Sequence, residues 1–245
     1  MTNTVRVKVW DWPLRLFHWA LVTTVTGAIV SGEIGGPWAD WHGRFGLMVL
    51  GLLIFRLIWG FVGTTYSRFA DFFPTPFRIL AYFRGFWQGH GHNPCGALAI
   101  FALLIVLLIQ VSTGLFANDD IAFEGPLASL IDKSLSDKLT GWHTRVFWGL
   151  AILIGLHLAS VGFHAWVKKH DLIGPMWTGN KRLPGRVAEG AESSAINSGG
   201  LLASTLLAIG LVLTVANGGL PERFIRAIDM TTTSLEVEEP EPAVL

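Results

Sequence analysis

The sequence predicts an all-α integral membrane protein with five transmembrane helices. Of its 245 residues, 51% are hydrophobic and 15% are charged, which is less charge than ordinary soluble domains carry. Five long stretches are almost free of charge, and the 11 tryptophans are of a type that gathers at membrane interfaces. The formal net charge is zero, so no global field favours nucleic acid or acidic partners. The single cysteine, Cys95, excludes an internal disulfide.

Start signals and composition support each of the five helices in turn. Pro13 suits the first turn of the first helix, and Trp10 and Trp12 just before it are interface anchors. The second and fourth helices both open with a Trp-His-x-Arg motif. The third is the cleanest span and follows Asn93, a typical N-cap residue, while the fifth is short but uncharged. The expected bounds are about 13–32, 41–62, 94–116, 142–167 and 199–216.

The same pattern divides the chain into four regions. Residues 1–178 hold the first four helices and form the main domain. Residues 179–198 are polar, with Gly, Ser and Glu, and are expected to be a cytoplasmic linker. Residues 199–218 hold the fifth helix. Residues 219–245 form an acidic tail, whose composition is typical of disorder.

Lysine and arginine are distributed unevenly between the two sides of the membrane. They are concentrated in the N-terminal arm, in the loop after the second helix and in the linker after the fourth. Because basic loops stay in the cytoplasm, we expect a cytoplasmic N-terminus and a periplasmic C-terminal tail. The second and fourth helices then both start at the outer face. The residues concerned are Arg6, Lys8, Arg15, Arg68, Arg78, Arg84, Lys168, Lys169, Lys181, Arg182 and Arg186.

Four histidines lie at matching depths in these helices. His143 and His157 share the fourth helix, 14 residues or about 21 Å apart, on nearly the same face. His42, at the outer start of the second helix, lies at the same depth as His143, so these two histidines form one pair. His18, near the inner start of the first helix, pairs with His157 in the same way. Intramembrane imidazoles need partners and haem iron takes them in pairs, so the pattern predicts two non-covalent, bis-histidine haem b groups.

Two alternatives remain open for these histidines. Each could cap or bridge helices without binding iron, an interpretation with most weight for His42 and His143 at their helix starts. His164 competes with His157 as the inner ligand, because it lies seven residues further on and near the same face. We favour His157 because it lies deeper in the apolar run.

Four arginines are candidate partners for the haem propionates. Arg56 lies 14 residues after His42 on the second helix and so reaches the depth of the inner pair. A buried guanidinium requires an anion. Arg15 is assigned to the inner haem, and Arg44 and Arg145 to the outer one. For these last three, snorkelling to the membrane surface is an equally good interpretation.

Several motifs, in order over roughly residues 5–180, resemble those of the bacterial cytochrome b561 family, which includes the cytochrome b subunit of nickel–iron hydrogenase. The resemblance implies a four-helix bundle with two b haems, whose ligands fall on the four paired histidines. It also implies electron exchange between membrane quinone and a periplasmic partner. The fifth helix and acidic tail depart from the family pattern. The motifs are VWDWPLRLFHW (9–19), WHGRFG (41–46), RLIWGFVG (56–63), YSRF (66–69), GHNPCGAL (91–98), TGLFANDDIAFEGPL (113–127) and GWHTRVFWGLAILIGLHL (141–158).

Three functions are compatible with these features. The first is a respiratory electron-transfer subunit of the bacterial inner membrane, linking quinone to a periplasmic c-type cytochrome, dehydrogenase or hydrogenase. The second is a stand-alone oxidoreductase, such as a superoxide:quinone oxidoreductase or a ferric reductase. The third is an anchor or transporter without haem, which the paired depths oppose.

Partner surfaces follow from the same sequence features. The outer loop around Asp119, Asp120 and Glu124 would steer a basic partner, or it is simply a solvated face. The fifth helix would dock the redox partner or a second copy in a homodimer, with membrane lipid around the bundle. A quinone pocket is expected near Trp12, Arg15, Arg56 and His92, although for His92 a solvated position in the loop is the favoured interpretation.

Overall fold

The computed structural model describes residues 4–87, 89, 91–121, 123–184 and 193–218, and it confirms the all-α membrane architecture. Five of its helices, α1, α2, α5, α6 and α8, are long and apolar enough to span a membrane. The predicted acidic tail, Arg186 and residues 185–192 of the predicted linker lie outside the described residues. The helices are α1 Trp12–Ile34, α2 Ala39–Val62, α3 Phe69–Phe72, α4 Pro76–Phe83, α5 Pro94–Gly114, α6 Lys133–Trp166, α7 Ile173–Thr178 and α8 Ser198–Ala216.

Helix α2 lies at the centre of the bundle. It packs against α1, α5 and α8, and α6 packs against α5. Because lipid is as apolar as leucine, close packing rather than exclusion of water holds such helices together. A Cβ on Gly51 of α2 would lie 3.1 Å from Val212 of α8, so this glycine lets the fifth helix approach. The buried core residues are Leu14, Phe17, Val49, Leu53, Leu104, Leu107, Val111 and Leu150.

The helix bounds agree closely with the sequence prediction except at the start of α6. This helix begins at Lys133, about two and a half turns before the predicted start near residue 142. The Asp132 carboxylate accepts a hydrogen bond from Leu135 N at 3.0 Å and so caps the helix. The added turns are polar, and hydropathy does not detect a helical segment that projects beyond the membrane.

A two-stranded antiparallel sheet closes one end of the bundle, which we call the sheet end. Strand β1 (Thr4–Lys8) pairs with β2 (Asn180–Pro184) in a register that places Arg6 opposite Arg182. The amides of Val9 and Trp10 continue the contact by donating to the carbonyl of Gly179 at 2.9 and 3.1 Å. This sheet was not predicted, since both segments were interpreted as an arm and a linker. It places the two basic segments on the same side of the membrane.

The opposite end is covered by the loop between α5 and α6. Asp119 Oδ1 accepts from the amides of Ile121 and Phe123 at 2.9 and 2.8 Å, and Lys133 pairs with Asp120 and Asp137. Two of the three acids considered for steering a partner therefore also shape the loop itself.

A buried carboxylate joins α1, α2 and the loop after α2 at the sheet end. Asp11 is 1% exposed and caps α1, since its Oδ1 accepts from Leu14 N at 2.7 Å. Its Oδ2 accepts from Trp59 Nε1 at 3.2 Å, from Ser67 Oγ at 2.6 Å and from Thr64 Oγ1. Four donors from three chain segments thus converge on one side chain.

We expect Asp11→Ala to lower the free energy of unfolding by about 3 kcal/mol, because it leaves several buried donors without an acceptor. The measurement is the thermal unfolding midpoint of the detergent-solubilised protein. Asp40→Ala, an exposed acid in the first turn of α2, is the matched control and should leave the midpoint unchanged. Equal midpoints for the two variants would contradict the anchoring role of Asp11.

Candidate haem-binding sites

Helices α2 and α6 bring His42 and His143 together in an edge-on arrangement, at the end of the bundle opposite the sheet. Their ring centroids are 5.8 Å apart and their planes are at 89° to each other. Metal–imidazole bonds of about 2.0–2.1 Å on either side of one ion place two ring centres about 6 Å apart. The spacing therefore fits one iron between the two rings.

Backbone carbonyls fix the orientation of both rings. Nδ1 of His42 lies 2.8 Å from the Ala28 carbonyl of α1, and Nδ1 of His143 lies 2.9 Å from the Gln110 carbonyl of α5. Each carbonyl can only accept, so each Nδ1 carries the hydrogen and each Nε2 keeps its lone pair. This is the arrangement that metal-ligating histidines ordinarily show.

The polar side chains around His143 belong to α5. Thr113 Oγ1 lies 3.3 Å from its Nδ1, and the side-chain amide of Gln110 lies 3.1 Å from its Nε2. The Gln110 Oε1 is shielded and has no hydrogen-bond partner among the described residues. Sequence reasoning missed Gln110, and its signal was a lone amide in the apolar run of the third helix.

Glycines provide the space for both rings and for a flat ligand beside them. A Cβ on Gly32 or Gly114 would lie 2.8 Å from the ring of His42 or His143, respectively. Gly46 is one turn after His42 on the same face of α2, and a Cβ there would meet nothing within 4 Å. A planar macrocycle can therefore approach the α2 backbone at this level.

The second histidine pair lies nearer the sheet end. His18 of α1 and His157 of α6 are close enough to interact electrostatically, and His157 is 14 residues, or about 21 Å, along α6 from His143. His18 Nδ1 is shielded and has no hydrogen-bond partner among the described residues. A buried polar atom of this kind is consistent with a ligand-binding role for the ring. His164, the competing candidate, points Nδ1 at the Ser160 carbonyl of its own helix, 2.9 Å away.

The four candidate arginines have different surroundings. Arg56 is 2% exposed, lies 4.4 Å from the Phe69 ring centroid and interacts electrostatically with Asp11, while its Nη1 has no partner among the described residues. The negative charge of Asp11 stabilises the charged form of Arg56, and sequence reasoning had not anticipated this interaction. The guanidinium of Arg15 donates to the Trp177 carbonyl.

Arg44 and Arg145 are exposed beside the His42–His143 pair. Each lies two residues after one of these histidines and stacks on a tryptophan of its own helix, Trp41 or Trp142, at 4.9 and 5.9 Å. Both guanidinium groups therefore lie within one helical turn of the His42–His143 pair.

The family model of prokaryotic cytochrome b561 matches residues 9–179, which include all four helices that carry or support the histidine pairs. The chain belongs to the prokaryotic cytochrome b561 family. Family membership makes it a multi-pass membrane protein that carries electrons on haem b, as the sequence predicted. The match ends before α8, so the fifth helix lies outside the family region.

Curated relatives of this b561 cytochrome carry a more specific name. A "Probable Ni/Fe-hydrogenase B-type cytochrome subunit" from Azotobacter vinelandii is 26% identical, over 69% of this chain and 86% of the relative. The Azotobacter chroococcum mcd 1 protein of the same name is 25% identical over the same shares. The corresponding hydrogenase 1 subunit of Escherichia coli K12 is 25% identical, over 62% of this chain and 81% of the relative. No solved structure matches.

We expect Gly114→Ala to weaken haem binding at the His42–His143 pair, because the new methyl group would displace the His143 ring. Haem content per chain, read from the pyridine haemochromogen spectrum, should fall by about one. Gly210→Ala on α8 is the matched control, since a Cβ at Gly210 meets nothing within 4 Å. Full haem content in Gly114→Ala would show that the ring position is not constrained by this contact.

Proposed function

We propose that this cytochrome holds two haem b groups in series and carries electrons across the bacterial cytoplasmic membrane. His42 and His143 are the axial ligands of the outer haem. His18 and His157 are the axial ligands of the inner haem. The observation that carries the proposal is the stacking of two histidine pairs at two levels of one bundle, about 21 Å apart along α6. Each bound iron would supply a one-electron centre between ferrous and ferric states.

The membrane orientation follows the basic segments. The N-terminal arm and β2 carry Arg6, Lys8, Lys181 and Arg182 and pair at the sheet end, which we therefore assign to the cytoplasm. The N-terminus is then cytoplasmic, and the tail after α8, residues 219–245, is periplasmic. Residues 1–178 form the haem domain, 179–198 the cytoplasmic linker and 199–218 the fifth membrane helix.

Electrons pass between the quinone pool at the cytoplasmic face and a protein partner in the periplasm. A quinone takes up two electrons and two protons to become a quinol, so the one-electron path must be used twice per quinone. The names of the curated relatives support a hydrogenase subunit as the periplasmic partner. A c-type cytochrome or another dehydrogenase would use the same path.

The four arginines hold haem propionates in this proposal. Arg44 and Arg145 serve the outer haem, because each follows a ligand histidine by two residues on the same helix. Arg15, three residues before His18, and the buried Arg56 serve the inner haem, with Arg56 shared between a propionate and Asp11. A planar guanidinium suits this task because it can bind a carboxylate through two parallel hydrogen bonds.

The test is the haem-to-protein ratio of the purified chain beside single histidine variants. We expect two b haems in the parent and about one in His157→Ala and in His42→Ala, because each variant removes one axial ligand. His164→Ala is the matched control on α6 and should keep both haems. A parent protein without haem would overturn the electron path. If His164→Ala lost one haem while His157→Ala kept both, the inner haem ligand would be His164 instead of His157.

A further inference from the structure

A groove of about 350 Å³ lies at the sheet end, between α1 and α7. Trp12, Leu16 and Trp19 follow one face of α1 at intervals of four and three residues, and Met176 and Trp177 of α7 form the other wall. Trp12 is 47% exposed, and Leu16 and Trp177 are each 61% exposed. None of the four paired histidines lines this groove.

Three contacts hold α7 against α1 and so keep the two walls of the groove in place. The rings of Trp19 and Trp177 are stacked, with their centroids 4.4 Å apart. Trp19 Nε1 donates to the Met176 carbonyl at 3.3 Å, and the Arg15 guanidinium donates to the Trp177 carbonyl. The groove is therefore built by specific contacts between its walls.

The groove lies where the membrane meets water. Helix α1 begins at Trp12, and tryptophan is the residue type that gathers at this level of a bilayer. Leu16 lies one turn, or about 6 Å, further along α1 and thus deeper in the membrane. An exposed apolar groove at this depth fits the first part of a lipid acyl chain.

A basic face of the sheet begins where the groove ends. Strand β2 follows α7 after a single glycine, and Lys8 of β1 lies opposite Asn180, the first residue of β2. Arg6 and Arg182 lie opposite each other two positions further along, about 7 Å away. All three basic side chains are exposed, whereas the other face of the sheet packs into a small apolar cluster.

Arg6 and Arg182 face each other without a partner of opposite charge in the described chain. Like charges directly opposite each other on two strands destabilise a sheet. Among the residues that the structure describes, no carboxylate forms a salt bridge with Arg6, Lys8 or Arg182. An external anion would relieve this repulsion, and a guanidinium binds a phosphate group through two parallel hydrogen bonds.

We propose that one anionic phospholipid binds at the sheet end, with its phosphate group on the basic face of the sheet and the start of an acyl chain in the groove. The groove alone would accept any phospholipid, because it contacts only the chain. Arg6, Lys8 and Arg182 select an anionic head group over a zwitterionic one, whose cation would lie near the same three charges. The site needs no haem and therefore goes beyond the proposed function.

The adjoining charges also favour an anionic lipid over a neutral quinone in this groove. Of the residues expected around a quinone, Trp12 and Arg15 line the groove, whereas His92 lines a separate cavity beside the loop after α2. A quinone ring has no negative charge to offer to Arg6 and Arg182. A lipid phosphate supplies that charge.

The experiment titrates dioleoylphosphatidylglycerol into the purified full chain in detergent and counts bound lipid by native mass spectrometry. We expect one tightly bound lipid in the parent. Binding should be about 25-fold weaker in Arg6→Gln/Arg182→Gln, because each basic side chain near an anionic lipid contributes about fivefold. Arg84→Gln removes an exposed charge just after α4, at the same end, and is the matched control that should bind like the parent.

A neutral lipid and a groove variant separate the two parts of the site. Dioleoylphosphatidylcholine should bind the parent more weakly than the anionic lipid does, and the double arginine substitution should leave its affinity unchanged. Leu16→Asn should weaken the binding of both lipids, because it removes an apolar contact of the chain without touching the sheet. All variants are compared at equal haem content and equal thermal unfolding midpoint.

Each contrary outcome has a distinct meaning. Equal affinity of the double variant and the parent for the anionic lipid would overturn the site. An equal loss in Arg84→Gln would also overturn it, by showing a general effect of net charge. Displacement of the lipid by glycerol 3-phosphate would assign the basic face to a soluble phosphate compound, and displacement by a benzoquinone with a ten-carbon tail would assign the groove to a quinone. A parent that binds the lipid but holds no haem would reject the proposed function and leave this site intact.

Discussion

Two hydrogen bonds from imidazole Nδ1 atoms to helix carbonyls orient the rings of His42 and His143. The geometry of that histidine pair depends on them. In a low-dielectric bundle an unpaired imidazole nitrogen is costly, so each ring takes the nearest acceptor, Ala28 O for His42 and Gln110 O for His143. That choice fixes the tautomer and leaves a lone pair on each Nε2, and the Gln110 side-chain amide lies 3.1 Å from the one on His143. The acceptors belong to α1 and α5, so all four long helices of the family region contribute to one site. Gly32 and Gly114 then provide the clearance that the rings require.

The sheet end is organised by charge rather than by histidine. Asp11 binds donors from α2 and from the loop that follows it, and its negative charge acts electrostatically on the buried Arg56. Arg56 in turn raises the electrostatic cost of protonating His92. One carboxylate, one guanidinium and one imidazole therefore influence one another electrostatically at the sheet end. Such groups are stable in apolar surroundings only when each member has a partner, and Asp11 meets this condition most completely.

Much of this molecule could be predicted from its sequence. Membrane helices are long apolar runs, and the depth argument for His18, His42, His143 and His157 needs only the rise per residue and the direction of each helix. The pairing of His42 with His143 was predicted in this way. What hydropathy could not supply were contacts made by polar groups outside the apolar runs. The β1–β2 sheet, the early start of α6 and the four-fold bonding of Asp11 all depend on such contacts. Gln110 was missed for another reason, since a single amide does not change the character of an apolar helix.

The position of α8 limits the motion of α2, the helix that carries His42. Without this helix, α2 would meet lipid on the face that carries Gly51, whereas here α1, α5 and α8 enclose it. A helix held on three sides has little freedom to tilt or to rotate about its axis. In the proposed haem site, His42 would then keep its position relative to His143 when the iron changes oxidation state. A preorganised environment of this kind costs little rearrangement when charge moves. Helix α8, which lies outside the family region, thus restrains the helix that carries His42, and in the proposed haem site it would favour rapid electron exchange without contributing a ligand.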